Sequence, residues 1–151
     1  MIQQEILDGN RLIAEFMGAK STEEDHTDYN EDGSIKYTPN EDGSKWIFTT
    51  WSKPNGISDE MYKRFGWGDY TMGKWYYDTS WDWLMPVIDK IEDLHTVSNF
   101  GFVNVRISQG YTEIEGTTEK IFKNSSVVGS KIKATWMAVV EFIKWHNTIQ
   151  K

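Results

Sequence analysis

The segment FGFVNVRISQGYTEIE, residues 100–115, alternates apolar with polar side chains on both sides of a central turn signal. Val103, Val105 and Ile107 recur at every second position, which is the spacing that places side chains on one face of a β-strand. The pair Gln109–Gly110 interrupts the pattern as a turn, and a second run follows it. The segment therefore predicts an antiparallel hairpin with one apolar face.

Three amphipathic helices are predicted around this hairpin. The first covers residues 3–17, the second begins after Ser80 as its N-cap, and the third covers residues 130–149. Apolar side chains return every three or four positions in each of them, as they do on the buried side of a helix. Gly9 and Asn10 weaken the middle of the first helix, because both residue types have low helix propensity.

Further strands are predicted at residues 35–38, 45–51 and 72–77, whereas the apolar residues of 121–128 are too irregular to be assigned. The element order is then α-β-β-β-α-β-β-α. This order predicts the α+β class, with a mostly antiparallel sheet and flanking helices in a sandwich. A length of 151 residues fits a single domain over residues 1–151.

An acidic insert occupies residues 21–44, with eight carboxylates against Lys36 alone. The phrase NEDGS occurs in it twice, at 30–34 and 40–44, and each Asp-Gly pair predicts a tight turn. Residues 28–35 also match the first eight positions of a calcium-binding loop, but position 12, which should be a bidentate glutamate, is Pro39. Solvated turns are therefore favoured over a calcium site.

Composition excludes several classes of protein. The net charge of -7 argues against general nucleic-acid binding, which requires clustered lysines and arginines. The chain has no cysteine, so it has neither disulfides nor thiolate metal sites. No signal peptide and no apolar run of membrane-spanning length is recognised, which predicts a protein that stays in the cytoplasm, without membrane contact.

Aromatic residues make up 15% of the chain and crowd residues 46–83. One interpretation is a stacking pocket with cations for an anionic ligand. Its predicted ligand-binding residues are Trp51, Arg64, Trp67, Lys74, Trp75 and Arg106. Trp67 stands out because it lies between two glycines. The alternative interpretation is that these rings fill the core and a homo-oligomer interface.

A resemblance is carried by three pieces of the chain: NRLIAEFMG at 10–18, YDTSWDW at 77–83 and KATWMAVV at 133–140. They resemble small phage and prophage proteins described as an "ABA sandwich" domain, which are frequent in Bacteroidota and their phages. The resemblance implies a phage or mobile-element origin in a bacterial host and a sheet flanked by helices. It transfers no functional residue, because the family has no established activity.

Catalytic and metal-binding patterns are weak. The three histidines lack metal-type spacing, and no nucleophile elbow, phosphate loop or dinucleotide fingerprint occurs. We therefore expect a non-enzymatic phage accessory protein without a cofactor. The first hypothesis is a counter-defence sponge that binds a small nucleotide signal, with the site at a homo-oligomer interface. The alternative is a protein–protein interaction module that binds a host defence protein or a phage component.

Overall fold

The predicted hairpin is present in the computed structural model as β5 (Val103–Ser108) and β6 (Tyr111–Gly116), paired antiparallel. The structure describes residues 2–63, 73–94, 103–116, 121–125 and 130–149. β7 (Ile121–Ser125) adds a third antiparallel strand beside β6, where the sequence pattern was too irregular to assign. The order in this sheet is β5-β6-β7.

One face of the three-stranded sheet is apolar and covered by helices. Val105 lies opposite Ile114 in the register, and Ile114 is fully buried. The buried hydroxyl groups of Thr112 in β6 and Thr135 in α4 (Lys131–Ile149) are hydrogen-bonded at 2.8 Å, which fixes the helix over this face. α3 (Trp81–Asp93) contacts β5 and α4. The other face carries polar side chains.

α1 (Gln3–Phe16) packs on α4 through the two residues that weaken its helix propensity. A Cβ atom added at Gly9 would lie 2.3 Å from Cζ2 of Trp136, so only glycine permits this approach. The buried Asn10 accepts a hydrogen bond from Nε1 of Trp136 at 2.8 Å and donates to the carbonyl of Trp75 at 3.0 Å and to Oδ1 of Asp78 at 2.7 Å. One amide therefore joins α1, α4 and the segment before α3.

The acidic insert folds as two hairpins, one inside the other. β1 (Ser21–Asp25) pairs with β4 (Ile47–Trp51), and β2 (Asp28–Tyr29) pairs with β3 (Ile35–Tyr37) between them. We call residues 21–51 the hairpin arm. Both predicted Asp-Gly turns are present, with Gly33 and Gly43 at positive φ. β1 and β2 were not predicted, because neither has an apolar residue pattern.

The predicted strand at residues 72–77 is wrong over its described part. Gly73 and residues 77–79 form turns instead, residues 74–76 are irregular, and Gly73 has a φ of +75°. Trp75 and Tyr77 are both buried, so their burial alternates as it does in a strand, but the carbonyl of Trp75 bonds to a side chain of α1 and not to a neighbouring strand. Alternating burial is therefore not sufficient for a β-strand, which also needs backbone hydrogen bonds to a neighbouring strand.

Two smaller differences complete the comparison with the predicted order. The loop expected after β4 contains a short helix, α2 (Asp59–Lys63). Ser80 occupies the N-cap position of α3 with an extended backbone, but its hydroxyl makes no capping hydrogen bond. The protein is therefore an α+β domain of small antiparallel sheets and helices, with more strands than the sequence pattern indicates.

Candidate functional site

The predicted aromatic site is only partly assembled in the described residues. Trp51 is half-buried at the end of β4, and its ring meets that of Trp75 edge-on, with centroids 5.0 Å apart and planes at 84°. Trp75 is 7% exposed and belongs to the hydrophobic core. Gly73 lies against both rings. Trp51 is thus the member of this pair that is accessible from outside.

The cation on Trp51 is one that the sequence did not predict. The guanidinium carbon of Arg11 lies 5.3 Å from the ring centroid of Trp51, which is a cation–π contact. The same guanidinium pairs with Glu15 at 3.1 Å on the exposed side of α1. The only sequence signal for this placement is the i,i+4 charge pair, which indicates an exposed helix face and gives no hint of the distant ring.

The other predicted ligand-binding residues do not converge on Trp51. Lys74 is exposed beside Trp75. Arg106 is exposed on the polar face of the three-stranded sheet, and no contact within the described part of the chain joins it to Trp51 or Trp75. Arg64 and Trp67 lie outside the described residues. The structure therefore brings together Trp51 and Trp75, and adds Arg11.

Several of the described aromatic side chains fill the core. Trp83 and Tyr77 are fully buried and meet edge-on, with ring centroids 5.3 Å apart. Burial raises the pKa of the Tyr77 phenol, so this side chain stays uncharged. Trp136 is also buried, against α1. The core-filling interpretation accounts for these rings, but not for Trp46 and Phe48.

The hairpin arm carries nearly all the net charge of the protein. Its eight carboxylates and two lysines leave a net charge of -6, out of -7 for the whole chain. Thr27 is the only buried residue among 21–51, all of which are described. The remainder of the chain is close to neutral, so the electrostatic field of the protein originates mainly from this arm.

An aromatic cluster lies on one side of the arm. Trp46 and Phe48, both half-buried, have ring centroids 5.1 Å apart, and the ring of His26 meets Phe48 edge-on at 4.8 Å. Nε2 of His26 lies 3.2 Å from Oε2 of Glu24, the residue that faces Phe48 in the strand register. The cluster is therefore an aromatic centre with the carboxylate of Glu24 at its edge.

Hydrogen bonds within the arm favour the ionised state of two of its carboxylates, Asp25 and Asp32. Asp25 accepts from the phenol of Tyr29 and from the backbone N–H of Thr27, and these bonds lower the pKa of the Asp25 carboxyl to about 2. Asp32 accepts from Ser34, which lowers the pKa of that carboxyl too. These two carboxylates therefore stay ionised well below neutral pH.

The calcium-type loop uses its oxygens for its own turn. Oδ1 of Asp32 accepts from both the backbone N–H and the hydroxyl of Ser34, and Nδ2 of Asn30 donates to the same hydroxyl at 3.0 Å. No group of three or more His, Cys, Asp or Glu side chains in the described residues is placed to hold a metal ion. These bonds are those of a solvated turn.

Comparison of the chain with protein-family models, with curated proteins and with solved structures gives no match. Among the described helices, none combines the length and the apolar character that crossing a membrane would require.

Proposed function

We propose that this protein is a non-enzymatic interaction module whose hairpin arm binds a basic surface of another protein. The observation that carries the proposal is the coincidence of charge and aromatic anchors: the arm holds a net charge of -6 and carries Trp46 and Phe48 on one side, with Glu24 opposite Phe48 in the strand register. Aromatic side chains at the centre of a polar border are the usual arrangement of an interface with a few dominant residues.

A protein partner fits this arm better than a small anion or a nucleic acid does. Phosphate groups are repelled by an arm of this charge, whereas lysine and arginine side chains are attracted and steered to it. The arm also exposes apolar side chains that an anionic ligand would leave uncovered, including Tyr37 at 60% and Ile47 at 41%. A host defence factor or a phage component with a basic surface is therefore the proposed partner class.

The first test compares two kinds of change in the arm. Trp46→Ala removes an anchor, and we expect it to weaken a purified complex about 30-fold, the scale of a dominant interface residue. Glu23→Lys/Glu24→Lys reverses the charge at one strand, and we expect slower association and a weaker salt dependence. Partners are captured from a lysate of the source organism and quantified by mass spectrometry, and the affinity is then measured with the purified partner.

The matched control is Glu113→Lys/Glu115→Lys, which makes the same charge change on the polar face of the three-stranded sheet. It should leave the captured proteins unchanged. If the control and the arm variants lose the same proteins, or if neither arm variant loses any, the arm is not the binding surface.

A second candidate function is binding of a nucleotide-type ligand beside Trp51. The specific observation in its favour is the cation–π pair of Arg11 and Trp51. The exposed Lys74, which directly precedes Trp75 in the sequence, is a second cation. The net charge of -7 argues against it, because nearly all of that charge lies on the arm that ends at Trp51. Against it, Arg11 already covers the ring and is paired with Glu15.

Native mass spectrometry with cyclic and ADP-ribose-derived nucleotides tests this candidate. It predicts a nucleotide retained at fixed stoichiometry, and Trp51→Ala should weaken retention by roughly 5- to 100-fold because a base loses its stacking partner. Trp46→Ala, on the arm, is the control and should retain the nucleotide. Unliganded spectra across the panel reject the candidate, and the same spectra test the proposed homo-oligomer. The phage origin remains a prediction, which the neighbouring genes would test.

A further inference from the structure

An open pocket of about 360 Å³ lies apart from both sites described above. It is lined by Ile6 of α1, by Asp78 and Thr79 of the turn before α3, and by the first turns of α4. No residue of the hairpin arm contributes to it. Its volume falls within the range of roughly 300–1,000 Å³ that is typical of small-molecule sites.

The pocket presents one group of each charge that is not already paired. Oδ1 of Asp78 accepts the hydrogen bond from Asn10, and within the described residues Asp78 makes no other hydrogen bond or ion pair, so Oδ2 is available. Lys133 is exposed and forms no ion pair with any described residue. Its backbone N–H is already bonded to the hydroxyl of Ser130, so the ammonium is the group left for an anion.

The remaining wall of the pocket is apolar. Ile6 and Ile132 are half-buried and line it together with Trp136. The indole N–H of Trp136 is used by Asn10 and the residue is only 3% exposed, so Ile6 and Ile132 are the apolar side chains that a ligand can cover. An occupant therefore needs an apolar body in addition to its charges, because only such a body gains from covering these side chains.

We propose that this pocket binds a free α-amino acid with an apolar side chain. Its ammonium group pairs with the carboxylate of Asp78, its carboxylate pairs with the ammonium of Lys133, and its side chain covers Ile6 and Ile132. The position of Asp78 is set by Asn10, which anchors it to α1, so the acceptor is held in place before the ligand arrives.

The test is a titration of the whole protein with L-phenylalanine and L-leucine, in which binding is monitored by NMR through the backbone amide chemical shifts. We expect saturable shifts around Thr79 and Ile132, with weaker binding of N-acetyl-L-phenylalanine and of L-phenylalaninamide, each of which lacks one charge. Asp78→Asn keeps an oxygen for Asn10 and should weaken binding about tenfold. Lys133→Gln should weaken it about fivefold, since that charge is exposed.

Lys131→Gln is the control, because this exposed lysine lies in the same turn of α4 outside the pocket lining, and it should bind both amino acids as the unmodified protein does. The inference is overturned if neither amino acid gives saturable shifts up to about 10 mM. It is also overturned if either Asp78→Asn or Lys133→Gln leaves the affinity unchanged. The pocket shares no residue with the hairpin arm, so neither result bears on the proposed protein partner.

Discussion

Replacing Asn10 by aspartate should lower the free energy of unfolding by about 3–5 kcal/mol at pH 7, the scale of a buried charge left without a partner. The amide of Asn10 donates to the carbonyl of Trp75 and to the carboxylate of Asp78, and both are acceptors. Asn10→Asp would place a third acceptor against them in a site that is 4% exposed. The measurement is denaturant unfolding of the variant and the unmodified protein.

The destabilisation of Asn10→Asp should depend on pH in a definite direction. Burial and the neighbouring Asp78 raise the pKa of the new carboxyl in the folded state above its unfolded value of about 4. The folded state then binds more protons than the unfolded state, so the loss of stability grows as pH rises through the folded pKa and shrinks as pH falls towards 4. Stability curves at several pH values, each relative to the unmodified protein, should converge on acidification.

Asn10→Asp/Asp78→Asn is the matched control for this effect. It exchanges the two groups, so an amide at position 78 can donate to the new carboxylate, although the carbonyl of Trp75 still lacks its donor. We expect the double variant to be more stable than Asn10→Asp alone. A single variant within about 0.5 kcal/mol of the unmodified protein at pH 7 would contradict the buried network.

The sequence predicts the elements whose burial follows a period. The hairpin of β5 and β6 and the helix α4 are confirmed, because their apolar residues recur at the spacing of a strand and of a helix. β1 has no such signal: Ser21–Asp25 is polar and exposed throughout, and it is a strand because β4 pairs with it. Pairing between distant segments is a property of the fold that local pattern does not contain.

The candidate site was harder to predict than the fold for the same reason. Nothing in the sequence distinguishes Trp51 from Trp75 as a surface residue, yet Trp51 is half-buried and Trp75 belongs to the core. Arg11 reaches Trp51 only because α1 folds back beside the end of β4. Composition shows that this chain has surplus rings, whereas tertiary packing determines which of them lie at the surface.

Gly9→Ala tests the approach of α1 to α4, because helix propensity and packing predict opposite signs. Propensity alone favours alanine by about 1 kcal/mol within a helix. The new Cβ, however, would lie 2.3 Å from Cζ2 and 2.7 Å from Cη2 of Trp136, and 3.2 Å from Cγ2 of Val140. We expect the overlap to dominate and to destabilise the protein by about 2 kcal/mol, measured by denaturant unfolding.

Two further variants separate the overlap from the general effect of alanine in α1. Asp8→Ala, on the exposed side of the same helix, should change stability by no more than about 0.5 kcal/mol. Trp136→Phe replaces the indole with a smaller ring and relieves the overlap with a side chain at position 9. The loss of stability of Gly9→Ala/Trp136→Phe should therefore be smaller than the sum of the losses of the two single variants. The opposite sign, a Gly9→Ala protein more stable than the original, would mean that α1 does not approach Trp136 this closely. The hydrogen bonds of Asn10 would then differ from those described as well, because the indole N–H of the same Trp136 donates to Asn10.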